Sequence, residues 1–140
     1  MVHIGSGDRD QMSTGDAYFT AADADALVNA GRPFLFHAAG NSAAAFDSTC
    51  ILERLVRNPH GGAVACVGMP RENLATNYDR FQQEFFHALY CTPGITLGHA
   101  MLQARLPWLS NVRLNTADKL TGSMSFVIVE SDEVAAKAVK

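Results

Sequence analysis

Arg32-Pro-Phe-Leu-Phe-His-Ala-Ala-Gly-Asn-Ser-Ala-Ala-Ala-Phe-Asp47 is the stretch whose reading decides the fold. Phe34 to Phe36 is a short apolar run introduced by a proline, as a buried strand would be. Small residues from Ala38 to Ala45 follow at once. Phe46 and Asp47 then open a helical pattern. A strand passing through a small-residue loop into a helix is where open α/β sheets place ligands, because the loop backbone is left accessible.

Working outward, Val2-His3-Ile4 reads as a very short strand ending at Gly5-Ser6-Gly7-Asp8, a loop able to take positive φ. Residues 8 to 19 are polar and turn-rich. Thr20 and Asp23 have capping-box spacing, Ala24, Leu27 and Val28 make one apolar face, and Gly31 is placed to end that helix. A second helix is expected from Asp47 to Asn58, with Ile51, Leu52, Leu55 and Val56 inward and Glu53, Arg54 and Arg57 outward. Asn58-Pro-His-Gly-Gly62 stops it. Ala63-Val-Ala-Cys-Val-Gly68 is continuously small and apolar, the mark of a central parallel strand covered on both faces. Met69-Pro70-Arg71 breaks it.

Thr76 and Asp79 begin a third helix whose Tyr78, Phe81, Phe85 and Leu89 form a core stripe. A fourth runs from Thr96 to Leu106 and stops at Pro107, with Gly98, Ala100 and Ala104 suited to close packing. Residues Ser110 to Gly122 have little pattern, Met124 to Glu130 is the last strand, and the final ten residues read as a short tail. The order β-α-β-α-β-α-α-β predicts a mostly parallel sheet of about four strands flanked by helices, with right-handed crossovers. The loops after Ile4, Ala39 and Val67 then share the carboxyl edge, where ligands bind.

The chain has 140 residues, enough for one domain with a full core over 1–140. A net charge of −3, with eleven Lys and Arg residues in no run, speaks against a nucleic-acid partner. No apolar stretch reaches membrane-span length, and Met1 leads into no signal peptide. The three cysteines, Cys50, Cys66 and Cys91, are odd in number and set in apolar surroundings. They read as reduced thiols and suggest a cytoplasmic location. The five histidines never fall at metal-ligand intervals and no Cys-x-x-Cys occurs, so no metal is expected, and no organic cofactor is expected either.

Several segments in order carry a resemblance. They are Ile4-Gly-Ser-Gly7; Phe19-Thr20 with Asp23, Leu27 and Asn29; Ala39-Gly-Asn-Ser42 with Ala45-Phe-Asp47; Asn58-Pro-His-Gly-Gly-Ala-Val-Ala65 with Val67-Gly68; Leu97-Gly-His-Ala100; and Leu120-Thr-Gly-Ser-Met-Ser-Phe126. Together they resemble the second half of the catalytic domain of gingipain-type cysteine peptidases. The resemblance implies a caspase-like three-layer sandwich. It also implies peptide hydrolysis through a thioester, with a histidine from a Gly-His-Gly strand end and a cysteine from the small-residue segment. Aligned without gaps, Ser6 stands at the histidine position and Asn41 at the cysteine position; a one-residue shift puts Gly40 there instead. Ser123-Met124 replaces the usual Asp-Pro of the last strand.

Neither serine nor asparagine supplies a base, and neither asparagine nor glycine supplies a thiol. The expectation is a domain without peptidase activity, acting in binding or structure. Gly5, Ser6, Gly7, Gly40, Asn41 and Met69 are the candidate binding residues, and a peptide is the candidate partner. Backbone amides of Gly5-Ser-Gly7 form a candidate anion nest. One alternative is a peptidase or hydrolase using other residues. His37, Cys50 and Cys66 read as packed side chains, and Ser6 lacks a Gly-x-Ser-x-Gly elbow. Another is a small self-associating α/β domain with a ligand-binding loop edge. Such a small sheet leaves an edge to cover, by a homo-oligomer or by a missing N-terminal half.

Overall fold

The computed structural model describes residues 1–71, 78–110 and 127–130. Three short strands come first: β1 (Val2–Ile4), β2 (Gln11–Ser13) and β3 (Tyr18–Thr20). They are followed by α1 (Ala21–Asp25), β4 (Phe34–Ala39), α2 (Ile51–Arg57) and β5 (Ala63–Gly68). Two longer helices, α3 (Tyr78–Cys91) and α4 (Leu97–Ser110), precede β6 (Val127–Glu130).

The main sheet has the order β1-β4-β5-β6. β1 runs parallel to β4, with Val2 opposite His37 and Ile4 opposite Ala39. β4 runs parallel to β5, with Phe36 opposite Cys66 and Ala38 opposite Gly68. β6 closes the sheet antiparallel to β5. Continuous apolar runs formed β4 and β5 as expected of strands buried on both faces. Phe36, Ala38 and Cys66 share one core with Ala24, Ile51, Leu52 and Leu55. His37, Ala65 and Val67 point to the other face and are buried too.

The polar segment 8–19 is not all loop. Residues 11–13 and 18–20 pair as a hairpin, with Met12 opposite Phe19 and Met12 only 1% exposed. Three-residue strands are too short for alternation to register, so one buried methionine was the whole signal.

The Thr20 capping box forms as its spacing implies. Thr20 Oγ1 accepts from Asp23 N–H, and Asp23 accepts from Thr20 N–H at 2.8 Å. The Thr20 hydroxyl, donating to the Asp23 carboxylate at 2.7 Å, and then the Thr20 N–H favour its charged form and lower the Asp23 pKa. The helix nonetheless ends at Ala26 rather than at Gly31, and Val28 is exposed. Asn58 explains the early stop. Its Nδ2 donates to the carbonyls of Ala24 at 2.9 Å and Leu27 at 3.0 Å, satisfying helix-end acceptors from outside the helix.

The second helix starts at Ile51, later than Asp47. Residues 46–48 are drawn into tertiary contacts: Asp47 pairs with Arg71, and Ser48 Oγ accepts from Arg9 at 2.9 Å. The inward face of Ile51, Leu52, Leu55 and Val56 is buried as read.

The described chain falls into two compact units, residues 1–72 with the C-terminal strand, and residues 73–125. In the second unit α3 and α4 pack together. Phe81 and Phe85 are buried and stack at 6.0 Å between ring centroids. Thr96 Oγ1 accepts from His99 N–H at the start of α4. Ala100 and Ala104 are buried, whereas Gly98 faces open space and gives no close packing. Pro107 lies inside α4 rather than ending it. Thr76, residues 110–122, residues 124–126 and the final ten residues fall at or beyond the margins of the described residues.

Candidate functional site

Parallel register places three strand tips on one edge. Ile4 and Ala39 are partners, so the segments that follow them, Gly5-Ser6-Gly7 and Gly40-Asn41, emerge side by side. The tip of β5 lies next to them and continues into Met69. A β-carbon at Gly40 would lie 3.5 Å from the Gly5 carbonyl oxygen and 3.7 Å from Gly7 Cα, so the two loops touch on either side of Ser6.

The loop after β1 is not an open nest. The Ser6 carbonyl accepts from Ser13 N–H at 2.9 Å, Asp8 N–H donates to Gln11 O at 2.9 Å, and Gly7 bridges to Met12. Neither Gly5 nor Gly7 takes a positive φ, so the alternating hand that would converge their amides on an anion is not formed. Gly7 is small for a different reason: a β-carbon there would press to 3.2 Å from the Gln11 carbonyl.

The loop after β4 is held by packing and by one strained residue. Ser42 has φ 57, in the left-handed region that costs a side-chain-bearing residue about 1–2 kcal/mol. Ala44 N–H donates to Met69 O at 2.9 Å, and Ala43 and Ala44 are wholly buried. Met69 itself is wholly buried, so it serves the core and meets a ligand only through neighbouring backbone. Gly40 is buried, Asn41 is half-buried and Ser6 is exposed.

Outside these tips lies an open cleft of about 500 Å³, lined by Asp8, Arg9, Asp10, Ser42, Asp47 and Arg71 among others. Its charges are already matched. Arg9 pairs with Asp10 at 3.2 Å and Arg71 with Asp47 at 3.3 Å. Asp8 accepts from the backbone N–H of Asp10 and Gln11. Among the described residues no group of three or more His, Cys, Asp and Glu side chains is placed to hold a metal.

Two of the three thiols are badly placed for attack. Cys50 caps α2 and Cys66 lies within β5, both fully buried. Burial raises both thiol pKa values, which disfavours the thiolate. His37 is 1% exposed, and desolvation lowers its pKa to about 4, so its ring is neutral in the fold. It points away from the face of the sheet that carries Ala38.

One rim residue escaped sequence reasoning. His3 lies on β1 opposite Ala38, and its Nε2 is 2.7 Å from the Ser13 carbonyl oxygen. Its Nδ1 would lie 3.7 Å from a β-carbon at Gly40. Its register opposite Ala38 sets its face, and nothing in the sequence gave its two neighbours.

This rim belongs to an α/β fold of the caspase-like, gingipain kind. Two solved structures share it at a TM-score of 0.76, each covering 93% of the chain. One, described as a protease, is 15% identical; the other, the Arg-specific cysteine proteinase gingipain R, is 16% identical. The chain spans about a third of each, 33% and 31% of their lengths. The model of peptidase family C25 matches residues 1–128, and the chain belongs to that family. No curated protein matches it. No helix among the described residues is long and apolar enough to cross a membrane.

Proposed function

We propose that this chain is a gingipain-like peptidase domain that no longer cleaves peptide bonds and instead holds a peptide along its carboxyl-edge cleft. One observation carries the reading: Ser6 and Gly40-Asn41 are neighbours at the tips of β1 and β4, and none of them is an imidazole or a thiol. The mechanism of the family needs both groups at such a meeting point. Removing either member of a nucleophile–base pair typically lowers kcat by several powers of ten, on the order of 10⁴–10⁶. The buried thiols supply no substitute, because their pKa values are raised. The cleft supports binding: it is open, and its paired carboxylates and guanidiniums match the mixed hydrogen-bonding groups of a peptide.

The test has two arms. Fluorogenic peptides with varied residues before the scissile bond should hydrolyse at the buffer rate, with or without a thiol alkylator. Turnover that an alkylator abolishes would end the reading. Calorimetry with a peptide library should give heats that disappear in Arg71→Ala; flat heats throughout would remove the binding half.

Strand β1 supports a second reading, self-association. Among the described residues it is an edge of the main sheet, with Val2 49% and Ile4 70% exposed. An exposed apolar edge strand is a template for pairing with another strand. Light scattering should give a dimer or larger assembly at micromolar concentration, and a monomer mass would exclude it.

A further inference from the structure

We infer that His3 is a resident proton acceptor of this rim, its ring fixed by the Ser13 carbonyl and its bare Nδ1 directed at the space above Gly40. The tautomer follows from the partner. A carbonyl oxygen only accepts, so the nitrogen 2.7 Å from Ser13 O carries the proton, and that nitrogen is Nε2. The other nitrogen, Nδ1, is left with a lone pair. It is shielded from solvent and has no hydrogen-bond partner among the described residues. A ring nitrogen held bare by a bond on the opposite nitrogen is the arrangement a general base requires.

What it faces is a position without a side chain. A β-carbon at Gly40 would lie 3.7 Å from Nδ1, and its nearest neighbour would be the Gly5 carbonyl oxygen at 3.5 Å. These are ordinary contacts, and Gly40 does not have a positive φ. The backbone therefore does not require glycine here. A thiol at position 40 would sit one bond beyond that β-carbon, within reach of Nδ1. Its S–H bond would break, the proton would pass to Nδ1, and the electron pair would stay on sulfur, giving a thiolate beside an imidazolium. The chain thus keeps a base beside Gly40, the cysteine position under the one-residue shift, and that base comes from β1 itself rather than from residue 6.

The ring lies beside Gly5 and Gly40 and bonds the Ser13 carbonyl. Of the charged side chains on the flanking loop, Asp8 is bound to Asp10 N–H and Gln11 N–H, and Arg9 to Asp10 and Ser48. His37, on the neighbouring strand, is opposite Val2 and so faces the other side of the sheet.

The experiment uses Gly40→Cys in a Cys91→Ser background, which removes the exposed native thiol. Alkylation of residue 40 by iodoacetamide is followed against pH by peptide mass. The half-point should fall at least about one pH unit below the ordinary thiol value of about 8.5. Adding His3→Gln should return it to that value. Identical profiles with and without His3 would overturn the inference. A second measurement needs no substitution: long-range ¹⁵N correlation spectra of the natural chain should show His3 protonated at Nε2 and bare at Nδ1. The opposite tautomer overturns the inference, and if a variant fails to fold, the tautomer alone decides.

Discussion

Gly62 is where the fold depends most sharply on one missing β-carbon. Its φ of +83 lies in the left-handed region, and a β-carbon there would collide with the carbonyl of Leu55 in α2. The residue cannot slide away, because Asn29 holds it on both sides: Gly62 N–H donates to Asn29 Oδ1 at 2.7 Å, and Asn29 Nδ2 donates to Gly62 O at 3.0 Å. Gly15 provides the control. It has φ +92 in the turn between β2 and β3, yet nothing lies within 4 Å of its would-be β-carbon. Gly15→Ala should therefore cost only the left-handed penalty, about 1–2 kcal/mol. Gly62→Ala should add the loss of the Asn29 bonds and of helix-end packing, at about 1 kcal/mol for each bond, for a total of about 3–5 kcal/mol. That is a large part of the 5–15 kcal/mol that domains typically possess, so the urea midpoint should drop steeply. Both glycines lie in the same compact unit, so one far-UV transition reports both. A Gly62→Ala midpoint within about 0.5 kcal/mol of Gly15→Ala would refute the steric argument, since surface effects alone are that large.

Three further outcomes are expected. Burial lowers His37 to about pKa 4 from 6.5, so the unfolded chain binds the extra proton between those values. Stability should be complete above pH 6.5 and decline as pH falls toward 4, by on the order of 3 kcal/mol; unfolding curves of the natural chain and of His37→Gln over that window check it, and equal slopes would contradict it. Cys91, exposed, should react with Ellman's reagent in the native state while Cys50 and Cys66, buried and with raised pKa values, wait for unfolding. Asn58→Ala removes the donor to Ala24 O and Leu27 O and the acceptor of His60 N–H, and thermal unfolding should show a loss of about 2–3 kcal/mol, at about 1 kcal/mol for each bond; Asn58→Asp, which keeps only the acceptor, should recover part of it.

These residues also mark how far the sequence could be read. Strands β4 and β5 were legible because a strand buried on both faces must be continuously apolar, and both runs end in small residues at the same edge. From that the neighbouring of Ser6 with Gly40-Asn41 followed, since parallel strands bring their tips together. The start of α2 was not legible. Phe46 and Asp47 have helical spacing, but Asp47 is taken by Arg71 from the far side of β5, a contact no local pattern encodes. The same holds for the end of α1, which is set by Asn58 from another segment. His3 belongs with these. Its chemistry lies in two neighbours, Ser13 on β2 and Gly40 just past β4.

The loop that bears Gly40 separates what packing fixes from what it leaves free. Ser42 is held at positive φ, Ala44 is bonded to Met69, and Gly68 is open because a β-carbon there would meet Leu52 and Ala44. Strain of this kind survives only where surrounding packing over-determines it. Here the determinants are Leu52 of α2, Gly68 of β5 and the buried Ala44 and Met69 beside them. Gly40 is the exception on the same loop: its neighbours leave room for a side chain and its backbone does not demand glycine. The frame is thus fixed by close packing, which resists change by even a methylene, while the residue at the meeting point is not. On the proposed reading, and with the family cysteine placed at Gly40 rather than Asn41, catalysis was lost at a position where the fold exerted no pull. A side chain returned there should therefore cost clearly less than one at Gly68. Gly40→Ala measured beside Gly68→Ala checks this: the second should be clearly destabilised, and equal losses would mean that packing, not chemistry, governs position 40.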